Sequence, residues 1–240
     1  MRKEKDGLGE RLLPDEAYYG IQTLRAMENF AISDNTFAHY PNIVQAMAEI
    51  KKACALTNKE IGALPADIAD AIATACDEVL AGRYPDQFPV NVFRGCGTSI
   101  NMNVNEVLGN RANELLTGHK GADRVHPNTH VNMCQSSNDV FPTAASLVLY
   151  RETGGLLDAL ATLEAAVRER MEALGPVVRI GRTCLQDAVP LTFGQSLSGY
   201  ASLLERTRAQ IAAFRKRSAT GILGATAVGT GIGVQPGFMK

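Results

Sequence analysis

Helical spacing of core-facing positions dominates the chain from residue 41 onward. Positions separated alternately by four and three residues predict one face of a helix that ends at Gly62: Ile43, Met47, Ile50, Cys54, Thr57 and Ile61. A second helix is predicted over residues 65–82, because Pro65 suits a first helical turn and Gly82 suits a helix end. Its inward face comprises Ile68, Ile72, Ala75 and Val79.

Three further helices are predicted, over residues 100–117, from about 138 to 173, and over residues 193–214. The last two carry regular apolar seams, which are typical of long bundle helices packed side by side. The seam positions include Leu149, Leu156, Leu160, Leu163, Leu197, Tyr200, Leu204 and Phe214. The fold class is therefore predicted as mainly α.

The segments between and around these helices carry weaker patterns. Residues 1–40 show little periodicity, and within them residues 12–20 are predicted to form an irregular arm that docks through its aromatic side chains. Residues 177–180 predict a short extended run, and residues 221–233 a glycine-rich loop. That loop contains GxGxxG-like spacings, but it follows a helix and not a strand, so a dinucleotide site is rejected.

Composition narrows the class of protein. The 240 residues are 45% hydrophobic and 20% charged, with a net charge of −1, as in globular proteins. Because the charges are mixed, no basic stripe for nucleic acid is expected. The sequence contains no apolar run of about 18 residues, so no membrane span is predicted. No apolar segment follows the basic N-terminus, so no signal peptide is predicted. Five cysteines without a CxxC pair indicate a reduced, cytoplasmic protein.

Metal and cofactor sites are not predicted. His126 and His130 have helical i, i+4 spacing, but Pro127 and Asn128 between them predict a turn and not a helix. No Ser–His–Asp order or nucleophile elbow supports acyl transfer.

Polar residues concentrate in three short turns, of which at least two open a helix. They are Gly97-Thr98-Ser99, Ser136-Ser137-Asn138 and Gly181-Arg182-Thr183. Free N–H groups at a helix start, with hydroxyls beside them, can hold a carboxylate. Three ordinary helix caps are the alternative. The polar residues that follow in the first of these helices are open to two interpretations, solvent exposure or a ligand: Asn101, Asn103, Asn105 and Glu106.

Four long motifs carry a resemblance. Residues 97–107 (GTSINMNVNEV), 126–144 (HPNTHVNMCQSSNDVFPTA), 181–195 (GRTCLQDAVPLTFGQ) and 223–231 (LGATAVGTG) resemble the aspartase/fumarase superfamily. Within it, details such as the segment Asp86-Gln87-Phe88-Pro89-Val90 and the absence of tryptophan are similar to the aspartate ammonia-lyases. The resemblance implies an N-terminal lyase domain over residues 1–137 and a partial central helical bundle over residues 138–240.

The resemblance also implies a reaction, the elimination of ammonia from L-aspartate to give fumarate. It implies that Thr98, Ser136, Ser137 and Thr183 hold the β-carboxylate and that Asn138 lies near the amino group. Ser99 and Cys184 complete the expected substrate-binding set, with Cys184 where the family has histidine or glutamine. His126 and Asn128 resemble a secondary anion-binding turn in which Thr129 replaces the usual aspartate.

Departures from the family limit this expectation. Members are about twice as long, and their GSSxMPxKxNP loop, which supplies the catalytic serine base, has no match in these 240 residues. No catalytic residue is therefore assigned, and the chain alone is expected to be inactive. The family forms tetramers, so a homo-oligomer or a complementing C-terminal fragment is the expected partner of this chain. A fumarate hydratase or a non-catalytic remnant of the family are the alternatives.

Overall fold

A computed structural model describes residues 1–93 and 97–239, and helices make up most of it. The strands and helices are β1 (Arg2–Asp6), β2 (Gly9–Leu13), α1 (Ile21–Asn29), α2 (Pro41–Glu60), α3 (Ala66–Leu80), α4 (Thr98–Thr117), α5 (Ser137–Leu174), β3 (Val178–Thr183), β4 (Gln186–Thr192) and α6 (Phe193–Ser218). Short 3₁₀ turns lie at Phe37–His39 and Pro85–Gln87, and a π-helix at Pro127–Val131. The prediction of a mainly helical fold is confirmed. In the described ranges, no helix is both long and apolar enough to cross a membrane.

The chain divides into two compact units. The first comprises residues 1–148 together with 221–240, and the second comprises residues 149–220. Helix α5 therefore begins in the first unit and continues into the second. The division into domains 1–137 and 138–240 stays a prediction.

The first forty residues are more ordered than predicted. Strands β1 and β2 form an antiparallel hairpin in which Arg2 pairs with Leu13 and Asp6 with Gly9, and α1 follows it. Arg25 of α1 forms an ion pair with Asp6 at 2.8 Å. Residues 14–20 lie outside any helix or strand, and Tyr18 and Tyr19 pack against the core, as predicted for the irregular arm. The hairpin and α1 were not predicted, because ion pairs and contacts with distant residues stabilise the hairpin and its sequence shows no apolar alternation.

Helices α2, α3 and α4 build the core of the first unit. Met47, Ile72 and Leu108, one from each helix, are fully buried. Helix α2 starts with Pro41 in its first turn, and α4 is capped at its C-terminus by Gly118, which has a left-handed conformation with φ of 83°. Both positions follow the ordinary preferences for a helix start and a helix end. The predicted helices of this region are confirmed to within about two residues.

The second unit contains the rest of α5, the hairpin β3–β4, and α6. The extended run predicted over residues 177–180 is confirmed as part of β3, whereas β4 was not predicted. Glu164 of α5 accepts hydrogen bonds from Arg168, at 3.0 Å, and from Arg208 of α6, at 2.9 Å. Several seam residues of α5 and α6 are exposed in the single chain, namely Leu149, Leu156, Leu163, Tyr200 and Phe214.

Candidate functional site

Two of the predicted polar turns meet in the first unit. The Oγ1 atom of Thr98, at the start of α4, lies 3.2 Å from the Oγ atom of Ser137, at the start of α5. Gly97 permits this approach, because a Cβ atom there would lie 2.9 Å from the Cβ of Phe141 and 3.2 Å from the Ser137 carbonyl oxygen. Two helix N-termini, each with partial positive charge and N–H groups that lack intrahelical acceptors, therefore converge around a pair of hydroxyls.

Ser136 is the N-cap of α5. Its Oγ accepts a hydrogen bond from the Asn138 N–H at 3.2 Å, and its own N–H donates to Asp139 Oδ1 at 2.9 Å. These two bonds cap the start of α5. The interpretation as an ordinary helix cap thus applies to Ser136, whose hydroxyl is already used as an acceptor but can still donate its proton.

Asp139 links the start of α5 to the glycine-rich segment near the end of the chain. Its side chain is fully buried, and its Oδ2 accepts hydrogen bonds from the N–H groups of Gly224, at 3.2 Å, and Thr226, at 2.8 Å. Asn138 Nδ2 donates to the Ala227 carbonyl oxygen at 2.9 Å. The loop predicted from its glycines therefore lies against the same helix N-terminus as Ser136 and Ser137.

The asparagines of α4 are not exposed to solvent. Asn101, Asn103 and Asn105 are buried. The interpretation that they are exposed to solvent is therefore wrong. Asn103 Nδ2 donates to the Gln87 carbonyl oxygen at 2.9 Å, whereas Asn101 and Asn105 donate to Asn132 Oδ1 at 3.0 and 3.2 Å. These side chains hold neighbouring loops against α4, which explains a polar composition that helix propensity alone disfavours.

Glu106 anchors the N-terminus of α1 from inside the protein. Its carboxylate accepts hydrogen bonds from the N–H groups of Gly20, Gln22 and Thr23 at 2.9 to 3.0 Å, and from the Thr23 hydroxyl at 2.6 Å. Burial raises the pKa of Glu106, while these donors act in the opposite direction. Its role is structural: a buried carboxylate placed at a positive helix end.

Lys51 was not predicted and is fully buried in α2. Its Nζ donates to Gln135 Oε1 at 3.1 Å and to Asn132 Oδ1 at 3.4 Å, two residues of the loop that leads into Ser136. Burial lowers the pKa of Lys51 to about 8. A signal was present in the sequence, because Lys51 lies four residues after the core residue Met47 and hence on the same helix face.

The predicted secondary anion turn is a π-helix, Pro127–Val131, so the expectation of a non-helical turn at His126 is wrong. Proline is tolerated here because its missing N–H lies in the first turn. The Nδ1 atom of His126 accepts hydrogen bonds from the N–H groups of Asn128, at 3.2 Å, and Thr129, at 3.1 Å. The His126 imidazole therefore already accepts from the N–H groups that an anion would need. An anion could bind these groups only by displacing the imidazole.

The other predicted substrate-binding residues are Ser99, in the first turn of α4, and Thr183 and Cys184, in the second unit. Ser99 lines a cleft of about 570 Å³ that α1 also lines, through residues such as Arg25. Thr183 and Cys184 belong to the second unit, where they lie at the tip of the β3–β4 hairpin and are exposed. Cys184 and Leu185 have positive φ angles of 51° and 62°, as a two-residue type I′ turn requires.

Comparison with known proteins now gives the family. Residues 9–240 match the family described as lyase. The chain is 44% identical to an aspartate ammonia-lyase of Bacillus subtilis, in an alignment that covers 100% of this chain and 50% of that protein. It is 47% identical to a class II fumarate hydratase of Halobacterium salinarum over 99% of this chain and 50% of that protein. The chain thus spans about half the length of the curated relatives it matches.

Solved structures agree with this result. A fumarate lyase:delta crystallin structure from Brucella melitensis, bound to cobalt, matches with a TM-score of 0.90 and 44% identity over 99% of this chain and 52% of that one. A class II fumarase from Schistosoma mansoni matches with a TM-score of 0.90 and 42% identity over 99% of this chain and 50% of that one. The chain therefore belongs to the lyase family, and it corresponds to the N-terminal half of the aspartase/fumarase superfamily.

Proposed function

We propose that this chain is the substrate-holding half of an aspartate ammonia-lyase. The observation that carries the proposal is the pair of hydroxyls, Thr98 and Ser137, placed 3.2 Å apart where two helices begin. Hydroxyls and helix N-terminal N–H groups are donors, and a carboxylate is the ligand that accepts from several donors at once. The proposed ligand is the β-carboxylate of aspartate, which becomes a carboxylate of fumarate.

The proposed chemistry follows from where charge develops. A base takes the proton from the carbon beside the β-carboxylate and leaves a second negative charge on that group, as an enediolate. The proposed base is the serine of the family's loop, supplied by a complementing half. Donors fixed around the carboxylate stabilise this charge more strongly than they stabilise the substrate, and this difference lowers the barrier. Ser136, which keeps its hydroxyl proton available, and Thr183 are the other proposed donors. The electrons of the new double bond come from the broken C–H bond as ammonia leaves.

Other predicted residues take supporting roles in the proposal. Asn138 is proposed near the substrate amino group, although its amide N–H₂ also donates to Ala227. Ser99, His126 and Asn128 stay proposed contacts of lower importance. Ser99 lines a cleft together with residues of α1, and His126 Nδ1 already accepts a hydrogen bond from the N–H group of Asn128. Cys184 is a weaker hydrogen-bond partner than the histidine or glutamine it replaces, so orientation by this position is reduced.

A fumarate hydratase activity is the second candidate. It shares the carboxylate-binding half, and the identities of 44% to the aspartate ammonia-lyase and 47% to the fumarate hydratase are similar. The aspartase-like segments Tyr18-Tyr19-Gly20 and Asp86-Gln87-Phe88 favour aspartate. The discriminating measurement compares aspartate with malate as substrate.

We further propose that the chain needs a second component for turnover. No segment of its sequence matches the family's serine loop, and apolar residues of α5 and α6 such as Leu156, Leu163 and Tyr200 are 47%, 52% and 61% exposed in the single chain. Exposed apolar seams of this kind mark surfaces that bury against other helices. A C-terminal half carrying that loop, assembled as a homotetramer of the family type in the cytoplasm, is the proposed complement.

The test uses purified chain with and without a coexpressed C-terminal half from a full-length relative. Fumarate absorbance after the addition of aspartate should remain flat for the chain alone and rise for the complex. Thr98→Val and Ser137→Ala, measured in the complex, should each lower kcat/KM by about a hundredfold if they stabilise developing charge. Sustained turnover by the chain alone would refute the need for a complement, and unchanged kcat/KM in both variants would refute the proposed site.

A further inference from the structure

Lys51 places a buried charged group directly beneath the loop that presents Ser136 and Ser137. Among the residues that the structure describes, no carboxylate lies within ion-pair distance of its Nζ, and its two acceptors are the amide oxygens of Asn132 and Gln135. A buried ammonium that forms no ion pair is costly, and replacement by an apolar residue would ordinarily stabilise the protein. Such a group requires a reason outside core packing.

The contacts of Asn132 connect Lys51 to the helix start. Asn132 Oδ1 accepts from Lys51 and also from Asn101 and Asn105 of α4, so its side chain is fixed from three directions. Its Nδ2 donates to the Gln135 carbonyl oxygen at 3.1 Å. The peptide whose carbonyl accepts this bond is the one that joins Gln135 to Ser136, the N-cap of α5.

Gln135 provides the second connection. Its Oε1 accepts from Lys51, while its Nε2 donates to the carbonyl oxygens of Val131 and Met133, at 3.0 and 3.2 Å. Lys51 therefore orients the Gln135 side-chain amide, whose hydrogen bonds to Val131 and Met133 hold the loop over residues 131–135 in a closed conformation. Asn132 and Gln135, the two acceptors of Lys51, both form hydrogen bonds with the backbone of residues 131–135. This backbone determines the position of Ser136 and Ser137 at the start of α5.

We propose that Lys51 is a positioning residue for dicarboxylate binding: its ammonium holds Asn132 and Gln135 so that the Ser136–Ser137 turn keeps the geometry needed by a carboxylate, and its buried positive charge favours that anion. The inference rests on the proposed function. Loss of the proton from Lys51 would remove the charge but leave the side chain in place, so dicarboxylate affinity should depend on the protonation of this one group.

The titratable groups around Lys51 allow this dependence to be isolated. Cys54 of α2 and Cys76 of α3 lie nearby, as does Asp139 of α5. Burial raises the pKa of both thiols to about 12, so they remain neutral between pH 7 and 9. Lys51, with its pKa lowered to about 8 by burial, is the group expected to change charge in that range.

The experiment measures fumarate binding to the chain by calorimetry at pH 7, 8 and 9 in three proteins. Lys51→Met removes the charge at similar volume. Lys52→Met is the matched control, because Lys52 is adjacent in sequence but forms an ion pair with Asp77 on the outer side of α2. We expect Lys51→Met to weaken binding at pH 7 by about tenfold or more, since a hydrogen-bonded charge is lost, and Lys52→Met to leave it unchanged. Wild-type affinity should fall from pH 7 to 9, and that fall should be absent in Lys51→Met.

The outcomes separate this inference from the proposed function. Binding that is equal in wild type and Lys51→Met, with the same pH profile, overturns the positioning role while the carboxylate site stands. If wild type does not bind fumarate, the proposed site fails, and Lys51 is then judged on the wild-type protein by NMR. The side-chain amide resonances of Asn132 and Gln135 should then shift with a midpoint near pH 8, and amide hydrogen exchange over residues 131–138 should accelerate severalfold as the pH passes it, beyond the intrinsic increase. Resonances that do not shift overturn the inference even if Lys51→Met fails to fold.

Discussion

The hydroxyl oxygens of Thr98 and Ser137 lie 3.2 Å apart, although 39 positions separate the two residues in the chain. The relationship depends on Gly97, the residue before Thr98, because the backbone of α5 approaches it closely. The site is thus built from two helix starts, and the absence of a side chain at Gly97 allows them to lie this close together.

Gly97→Ala tests this dependence. The added Cβ would lie 2.9 Å from the Phe141 Cβ, so the two helix starts must separate, and we expect a loss of about 1 to 3 kcal/mol in the free energy of unfolding. Fumarate binding should weaken as well. Gly155→Ala is the control, since a Cβ there meets no atom within 4 Å in a helix interior and should stabilise by about 0.5 to 1 kcal/mol. Urea denaturation measures both variants, and equal stability of Gly97→Ala and wild type would contradict the packing argument.

Gly20→Ala tests the anchor of α1. A Cβ atom at this position would lie 2.7 Å from Glu106 Cδ, and the carboxylate that accepts four hydrogen bonds would have to move. We expect a loss of about 2 kcal/mol and faster proteolysis within residues 1–30. Gly7→Ala, which meets nothing within 4 Å, should change stability by less than about 0.5 kcal/mol. Similar proteolysis rates for the two variants would show that Glu106 does not anchor this region.

Lys51 should also contribute a pH-dependent term to stability. Its pKa is about 8 in the folded protein and 10.5 ordinarily, so between these values the unfolded chain binds a proton that the native lysine has released. Stability therefore rises with pH in this window relative to Lys51→Met, by on the order of 3 kcal/mol in total. Urea denaturation between pH 7 and 10.5 measures the difference in the free energy of unfolding between wild type and Lys51→Met. The buried thiols are present in both proteins, so their contribution cancels in this difference. A difference that stays constant with pH, as expected for Lys52→Met, would mean that Lys51 keeps an ordinary pKa.

Asp139→Asn should loosen the glycine-rich segment. The carboxylate accepts from the N–H groups of Ser136, Gly224 and Thr226, and an amide in its place offers one acceptor oxygen to them. A buried N–H left without an acceptor costs about 1 to 3 kcal/mol. Hydrogen exchange should therefore accelerate at Thr226 or Ser136. Asp77→Asn is the control, because Asp77 is exposed and its ion pair with Lys52 should contribute less than about 1 kcal/mol. Unchanged protection at all three N–H groups would contradict the linking role.

The helices were predictable because their signal is local. The spacing of Met47, Ile50 and Cys54 lies within one helix and requires no knowledge of the rest of the fold. Strand β1 was missed for the opposite reason: its sequence, RKEKD, has no apolar alternation and pairs with β2 through backbone bonds and ion pairs. Hairpin β3–β4 was half predicted, since only β3 begins with an apolar run.

The buried polar residues show where sequence reasoning stops. Lys51 lies on the same helix face as Met47, but it stands directly before Lys52, and a pair of lysines is typical of a solvent-exposed helix face. The asparagines of α4 indicated a function, but their partners are backbone groups and side chains far away in sequence, such as Gln87 and Asn132. Residue types that need a partner can be recognised from sequence, whereas the partner is known only once the fold is.

The return of the chain to the first unit has an engineering consequence. Ile222 donates its N–H to Thr143 Oγ1 at 3.1 Å, and residue 148 lies five positions beyond Thr143 along α5, about 7.5 Å at the helical rise. Residues 149–220 thus leave and re-enter the first unit at neighbouring points. We expect that a linker of a few residues can replace this segment and give a minimal protein that retains Thr98, Ser136, Ser137 and Lys51.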